Sequence, residues 1–329
     1  MSKKTVVIGS NSFSGSNFVS FALEKGEEVI GISRSQEPND VFLPYKKLKS
    51  SNFLFHQLDL NHDIDKIVEI IRAFRPDYVV NFAAQAMVAQ SWKYPEHWFQ
   101  TNTVAMIKLH DKLRRCDFLK KYVHISTPEV YGSCSSVIRE NTSYNPSTPY
   151  AASRAAADMS LKTFFDMYEF PVVFTRAANV YGAGQQLYRI IPRTILYFLT
   201  GRKLQLHGGG KSVRSFIHIR DVADATLKAA RSAPGGEIFH FSTLNNITVR
   251  SLVEMIADAM NVSFEDNVEI VEDRPGKDSA YLLDASKAKK VLGWKDKISL
   301  EAGIKETISW VKDNLETLKK QPLEYKHKA

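Results

Sequence analysis

Cysteine is nearly absent, with only Cys116 and Cys134 in a chain of 329 residues. That excludes a disulfide-stapled fold, and neither residue has a Cys or His neighbour at the spacing of a zinc site. No metal is expected. No apolar run approaches the roughly 18 residues that a membrane span needs. Met1-Ser2-Lys3-Lys4 leads straight into a β-like run and lacks a secretory cleavage pattern. Internal repeats and low-complexity segments are missing too. The expectation is a soluble, cytoplasmic protein. Charge is not segregated either: 44 Lys and Arg against 36 Asp and Glu give +8, spread along the chain. This argues against a nucleic-acid partner and suits an enzyme whose substrate and cofactor carry phosphates. Only the stretch 319–328 is locally basic, and it reads as a frayed, solvated end.

What is present is an ordinary globular composition, 44% hydrophobic and 24% charged. Short β-branched runs at 5–8, 28–32, 53–57, 78–81, 122–125 and 172–175 each read as a buried strand. Amphipathic stretches lie between them, such as 64–74 with Ile64, Ile67, Ile70, Ile71 and Phe74 on one stripe. Apolar strands alternating with helices predict a doubly wound parallel α/β sheet of the Rossmann type. The rhythm changes after residue 182. Helical patterns at 190–200, 222–231 and 249–260 mix with short strands and glycine-rich turns. We read 1–182 as a dinucleotide-binding domain and 183–329 as a smaller α+β substrate lobe that can interleave with it. A last helix is expected over 301–319.

The first strand runs into Gly9-Ser10-Asn11-Ser12-Phe13-Ser14-Gly15 and then a helix. This is the strand–turn–helix setting in which unpaired helix N–H groups meet a pyrophosphate. Gly9 permits the tight turn, and Gly15 lets helix and strand approach. Ser12 stands where glycine is usual, so its side chain must point away from the phosphates or contact one. At the end of the second strand an NAD site normally carries an acid for the ribose 2′-hydroxyl. Here Ser33 and Arg34 stand instead, and a guanidinium there favours NADP over NAD. Asp59, followed by Leu60, is placed to meet the adenine, and Ala83 and Ala84 let a cofactor pass close to the backbone.

Further on, Thr127 and Glu129 follow the fifth strand in Ser126-Thr127-Pro128-Glu129-Val130-Tyr131-Gly132. Tyr150 and Arg154 stand four apart at the head of a helix, so both project from one face. The expected chemistry is redox at a hydroxyl: Thr127 holds it, Tyr150 takes its proton, and Arg154 lowers the phenol pKa.

With these motifs the chain resembles the extended short-chain dehydrogenase/reductase family, and within it the nucleoside-diphosphate-sugar 4,6-dehydratases. The likeness runs from the glycine-rich turn to Leu282-Leu283-Asp284-Ala285-Ser286-Lys287 and Leu292-Gly293-Trp294. It implies a recycled NAD(P), oxidation at sugar C4, loss of water across C5–C6, and hydride return to C6. Glu129 matches the carboxylate that removes the C5 proton. Pro128 replaces the Asp or Ser of that motif, and Arg154 replaces its Lys. The resemblance further implies that Gln85, Ser91 and Asn102 border the sugar. It also implies that Asn179 meets the diphosphate, and that Arg214 and Arg274 hold phosphate or ribose. Helices at 95–115 and 150–168 imply a homodimer; the alanines at 151–157 suit either a subunit contact or packing within the subunit. Two other readings stay open, a related 4-epimerase or decarboxylase and a catalytically impaired dinucleotide-binding sensor.

Overall fold

The computed structural model describes residues 2–133, 136–272 and 282–328. Seven strands form the central sheet: β1 (Lys4–Ile8), β2 (Glu28–Ser33), β3 (Phe53–Gln57), β4 (Tyr78–Asn81), β5 (Lys121–Ile125), β6 (Val172–Ala177) and β7 (Ile238–Phe241). Their order is β7-β6-β5-β4-β1-β2-β3, and every pairing is parallel. The doubly wound sheet is therefore as expected. Period-two alternation sorts the buried side chains: Val6 and Val79 face one side, Val7 and Val80 the other. Helices α2 (Ile64–Phe74) and α3 (Ala105–Leu113) cover the first face through Ile67, Ile71, Met106 and Leu109. Helix α1 (Phe13–Glu24) covers the second through Phe18 and Val19. Each such buried aliphatic contributes about 1.5–3 kcal/mol.

Two strand readings need correction. Strand β3 is an edge, not a buried strand, and its Leu54 is 55% exposed. Strand β7 was not anticipated, because its Ile-Phe-His-Phe is short and carries a polar residue.

Helix α4 (Pro149–Tyr168) follows the 126–132 segment, and the chain then enters the second lobe. That lobe contains α5 (Ile190–Leu199), α7 (Val249–Met260) and α8 (Leu300–Asp313), packed through Ile195, Leu252, Ile256 and Ile304. Between α5 and α7 the chain returns to the sheet, adding α6 (Ile219–Ser232) beside α1 and then β7. Helix α8 stops short of the expected 319: Asn314 Nδ2 donates to Trp310 O (2.7 Å), and a separate turn, Leu315–Leu318, follows. The expected 95–115 helix is also modified. An α-turn (Pro95–Phe99) passes through a π-turn (Gln100–Val104) before α3 begins. Such turns commonly sit at functional sites.

Candidate functional site

A cleft of about 790 Å³ opens where strand order reverses between β1 and β4, with the second lobe as its far wall. At the glycine-rich turn, Gly9 has φ +83°, and a Cβ there would lie 2.6 Å from Ala83 N. A Cβ on Gly15 would lie 2.2 Å from Gly9 O. Both glycines thus serve backbone approach, and Ala83 packs against the turn while Ala84 lines the cleft. Ser12 turns inward: its Oγ donates to Gly9 O (2.7 Å) and accepts from Gly15 N (3.0 Å), capping α1. The α1 N-terminus thus stays open to an anion, and Ser12 and Phe13 line the cleft. Ser33 Oγ accepts from Asn11 N (3.0 Å), tying the turn to β2. Asn11 Oδ1 is buried without a hydrogen-bond partner at this end. These features fit a dinucleotide. Arg34 lines the cleft and an adjoining hollow that also holds Asp59. Leu60 does not reach either; it is buried in the core.

Thr127, Glu129, Tyr150 and Arg154 come together on one wall. Thr127 Oγ1 accepts from Glu129 N (3.2 Å), so a single 3₁₀ turn (Pro128–Tyr131) sets the carboxylate beside the phenol. Thr148 caps α4 by accepting from Ala151 N (3.1 Å), and Pro149 starts the helix that presents Tyr150. The expected lowering of the phenol pKa is corrected. Burial and then the Glu129 charge raise it; the Arg154 charge and the Thr127 hydrogen bond only offset part of this. Arg154 is itself buried, donating to Ile125 O and to His124 Nε2 (3.2 Å). Its Nε is buried without a hydrogen-bond partner, while the residue lines the cleft.

Behind this wall lies a buried polar network. Asp158 Oδ2 accepts from Arg176 (2.8 Å) and from Ser126 Oγ (2.5 Å), the residue before Thr127. Burial alone would raise the Asp158 carboxyl; the His124 ring beside it (Nε2 to Oδ1, 3.3 Å) and the Arg176 and Arg154 charges more than offset it, so it stays ionised. Arg176 also donates to the hydroxyls of Tyr131 and Tyr144. The end of β5 is held from beneath by a charge pair with almost no exposure.

Across the cleft, Asn179 and Arg214 line it from adjacent paired strands, Asn179–Tyr181 and Val213–His218. Asn179 Nδ2 donates to Ser215 O (3.3 Å), and Arg214 donates to its own strand at Val213 O (2.8 Å). Gln85 lines the cleft, but Ser91 and Asn102 do not. Ser91 is buried with its hydroxyl on Val88 O (2.6 Å). Asn102, carried by the π-turn, clamps the Gln85 backbone: Oδ1 accepts from Gln85 N (2.8 Å) and Nδ2 donates to Gln85 O (3.0 Å). Both are supports and not sugar-facing groups. Arg274 lies outside the described residues. The alanine stripe at Ala151, Ala155 and Ala157 is buried within the subunit. Sequence reading missed Tyr188 and Arg189, which line the far wall just before α5. Arg189 offsets a small part of the rise in the Tyr150 pKa, and the Gly-rich approach to α5 was the signal for both.

The segment 319–328 is not frayed. It crosses the cleft mouth, where Tyr325 lines the cavity and His327 stacks on Trp98 with ring centroids 4.9 Å apart. Polar composition hid this, since the anchors are rings and backbone carbonyls.

Residues 6–307 match the family model described as GDP-mannose 4,6 dehydratase. The dTDP-glucose 4,6-dehydratase of Xanthomonas campestris is 30% identical, over 94% of this chain and 93% of its own length. The human dTDP-D-glucose 4,6-dehydratase is 32% identical over 82% of this chain and 77% of its own. Among solved structures, the dTDP-glucose 4,6-dehydratase of Streptomyces venezuelae, with NAD bound, superposes with TM-score 0.88 at 28% identity, covering 95% of this chain and 98% of that one. A UDP-glucose 4-epimerase of Thermotoga maritima, solved with UDP-glucose, gives TM-score 0.86 at 28% identity, covering 95% and 99%. Among the described residues no helix is long and apolar enough to cross a membrane.

Proposed function

We propose an activity for this chain from one premise: it belongs to the GDP-mannose 4,6-dehydratase family. It is a nucleoside-diphosphate-sugar 4,6-dehydratase, a lyase with a recycled nicotinamide dinucleotide. The overall fold is shared with 4-epimerases, so it does not separate the two reactions. The observation that carries dehydration is Glu129, a carboxylate in the cleft close enough to Tyr150 to raise its pKa. An epimerase has no use for a base at C5.

When bound, the dinucleotide supplies the reversible hydride store that oxidises C4 and later reduces C6. The residues that would hold it are Ser12 and Phe13 at the α1 N-terminus, Arg34 at β2, and Arg154. Thr127 orients the C4 hydroxyl, and Tyr150 takes its proton. Because a phenol cannot accept a proton, Tyr150 acts as the tyrosinate; burial and the Glu129 charge oppose that form, and the Arg154 charge and the Thr127 hydrogen bond favour it. Once C4 is a ketone, the C5 proton is acidified and Glu129 removes it. Pro128 has no proton to give, so the proton on Glu129 passes to the C6 hydroxyl, which leaves as water. Asn179 and Arg214 hold the diphosphate side, and Arg274 is assigned the nucleotide ribose or phosphate from the family likeness alone. Gln85 borders the sugar on a loop fixed by Asn102.

NADP is preferred to NAD in this reading, supported by Ser33 and Arg34 standing where an acid would serve NAD. The relative from S. venezuelae holds NAD, so this is a property of the chain's own β2 end. The active unit is a homodimer, supported by exposed Val104, Ile107 and Met159 on the helices at 95–113 and 149–168. Sedimentation at micromolar concentration should give twice 37.2 kDa.

Mass spectrometry tests the reaction directly, with a panel of nucleotide sugars in deuterated water and added NADP or NAD. Loss of one water with a solvent deuteron at C5 is expected. A C4 stereoisomer without mass change assigns the chain to epimerisation instead. Tight dinucleotide binding with no turnover of any sugar makes it a sensor.

A further inference from the structure

The segment 319–328 touches both halves of the molecule across the cleft. Within the second lobe, Leu323 packs against the core and its carbonyl accepts from Arg193 (2.6 Å). Tyr325 sits edge-on to Tyr188, with centroids 5.7 Å apart. On the sheet side, His327 stacks on Trp98, His97 and Tyr94, and its Nε2 is hydrogen-bonded to His97 Nδ1 (2.9 Å). The next residue enters the cofactor end. Lys328 O accepts from Gln85 Nε2 (2.7 Å) and from the Arg34 guanidinium (3.3 Å), while Lys328 Nζ donates to Ser35 Oγ (2.9 Å).

These contacts close one side of a shallow hollow of about 510 Å³, lined by Arg34, Ser35, Gln36, Gln57, Asp59 and Lys328. Two cations, a hydroxyl and two amides converge there. The single carboxylate, Asp59, already accepts from Asn61 N through Oδ1 (2.7 Å). A phosphate monoester, which carries close to two negative charges at neutral pH, suits this donor set better than a ribose hydroxyl does.

We propose that Lys328 is the second cation of the adenosine 2′-phosphate site, so that the tail both straps the cofactor in place and selects NADP. The inference rests on the cofactor reading above and extends it to a residue far from the dinucleotide motif. Lys328 replaces its Ser35 contact with the phosphate, and the His327 stack keeps the ammonium within reach. Because the strap is tethered to both lobes, NADP entry and exit require it to lift.

Calorimetric titration of the full-length, dinucleotide-stripped chain with NADP and with NAD tests this. Wild type should bind NADP more tightly, and Lys328→Ala should lower the NADP-to-NAD affinity ratio about tenfold, an effect that shrinks as salt is raised. Arg34→Ala should lower the same ratio at least as much. Hydrogen exchange of the 321–328 amides should slow more with NADP than with NAD. A Lys328→Ala change that leaves the ratio intact overturns the proposal, as does equal protection by the two cofactors. Wild type that binds NAD but not NADP overturns it together with the NADP preference, while the dehydratase reading stands. Binding of neither dinucleotide overturns both.

Discussion

The cleft has two rims of opposite construction. One, made by the end of β5 and the head of α4, is set from beneath by Asp158, Arg176 and His124, all with no measurable exposure. The other, made by 319–328, is held by ring stacking and a few hydrogen bonds to backbone carbonyls. Buried charge pairs tolerate no slack, because breaking one strands an ion in low dielectric. Surface stacking opens at little cost. The arrangement keeps reacting groups in register while leaving cofactor access to the rim that can move.

The sharpest way to break this comparison acts on chemistry without touching either support. Glu129→Gln should abolish loss of water, with a fall in kcat of about a thousandfold, while calorimetric dinucleotide affinity stays within a factor of two or so. Retained turnover would remove Glu129 from the mechanism. Next in size is the support itself: Arg176→Met leaves Asp158 uncompensated and should cost about 3–5 kcal/mol in urea unfolding. Truncating the other rim at residue 320 should change that unfolding free energy far less. An equal loss in both variants would show that the rims do not differ.

Acid provides a third test. Burial lowers the His218 pKa to about 4 and, with Arg176, the His240 pKa to about 3, both below the ordinary 6.5. Below pH 6.5 the unfolded chain takes up protons that these rings refuse, so stability falls as pH drops toward 4. Each contributes up to about 1.4 kcal/mol per pH unit in that window, seen as a falling urea midpoint. His240 accompanies the buried network through its Tyr131 contact (2.8 Å), so His240→Asn should flatten part of this slope. The smallest effect concerns the loop between the rims. Asn102→Ala frees the Gln85 backbone and should lower kcat/KM about tenfold, mostly through KM, without altering the pH profile of kcat.

Much of the first rim was legible in sequence, because its parts are contiguous: Ser126 to Gly132 is one turn, and Tyr150 with Arg154 is one helical repeat. The six anticipated strands share that property, being short apolar runs between helices. What escaped reading depends on contacts between distant segments. Strand β7 is buried by α6 and Trp294 and not by an obvious apolar pattern of its own. Ser91 and Asn102 are polar residues whose partners sit inside the fold, so polarity alone suggested a ligand. The phenol shift at Tyr150 likewise needed the burial of the site, since the favourable charge beside it was visible and the desolvation was not. Lys328 reads as a solvated cation until Ser35, 293 positions away, is seen beside it.

A π-turn is a helix carrying one residue too many, and the surplus at Gln100–Val104 acts as an indexing pin. Each residue of an α-helix turns the next by about 100°. Removing one residue there would restore plain α-helix and rotate everything upstream relative to α3 by that angle. Asn102 would swing off Gln85, and the Trp98 ring would move out from under His327. One surplus residue therefore sets the phase of both the sugar-side loop and the strap, and insertions elsewhere in 95–113 are far less free than its surface position suggests.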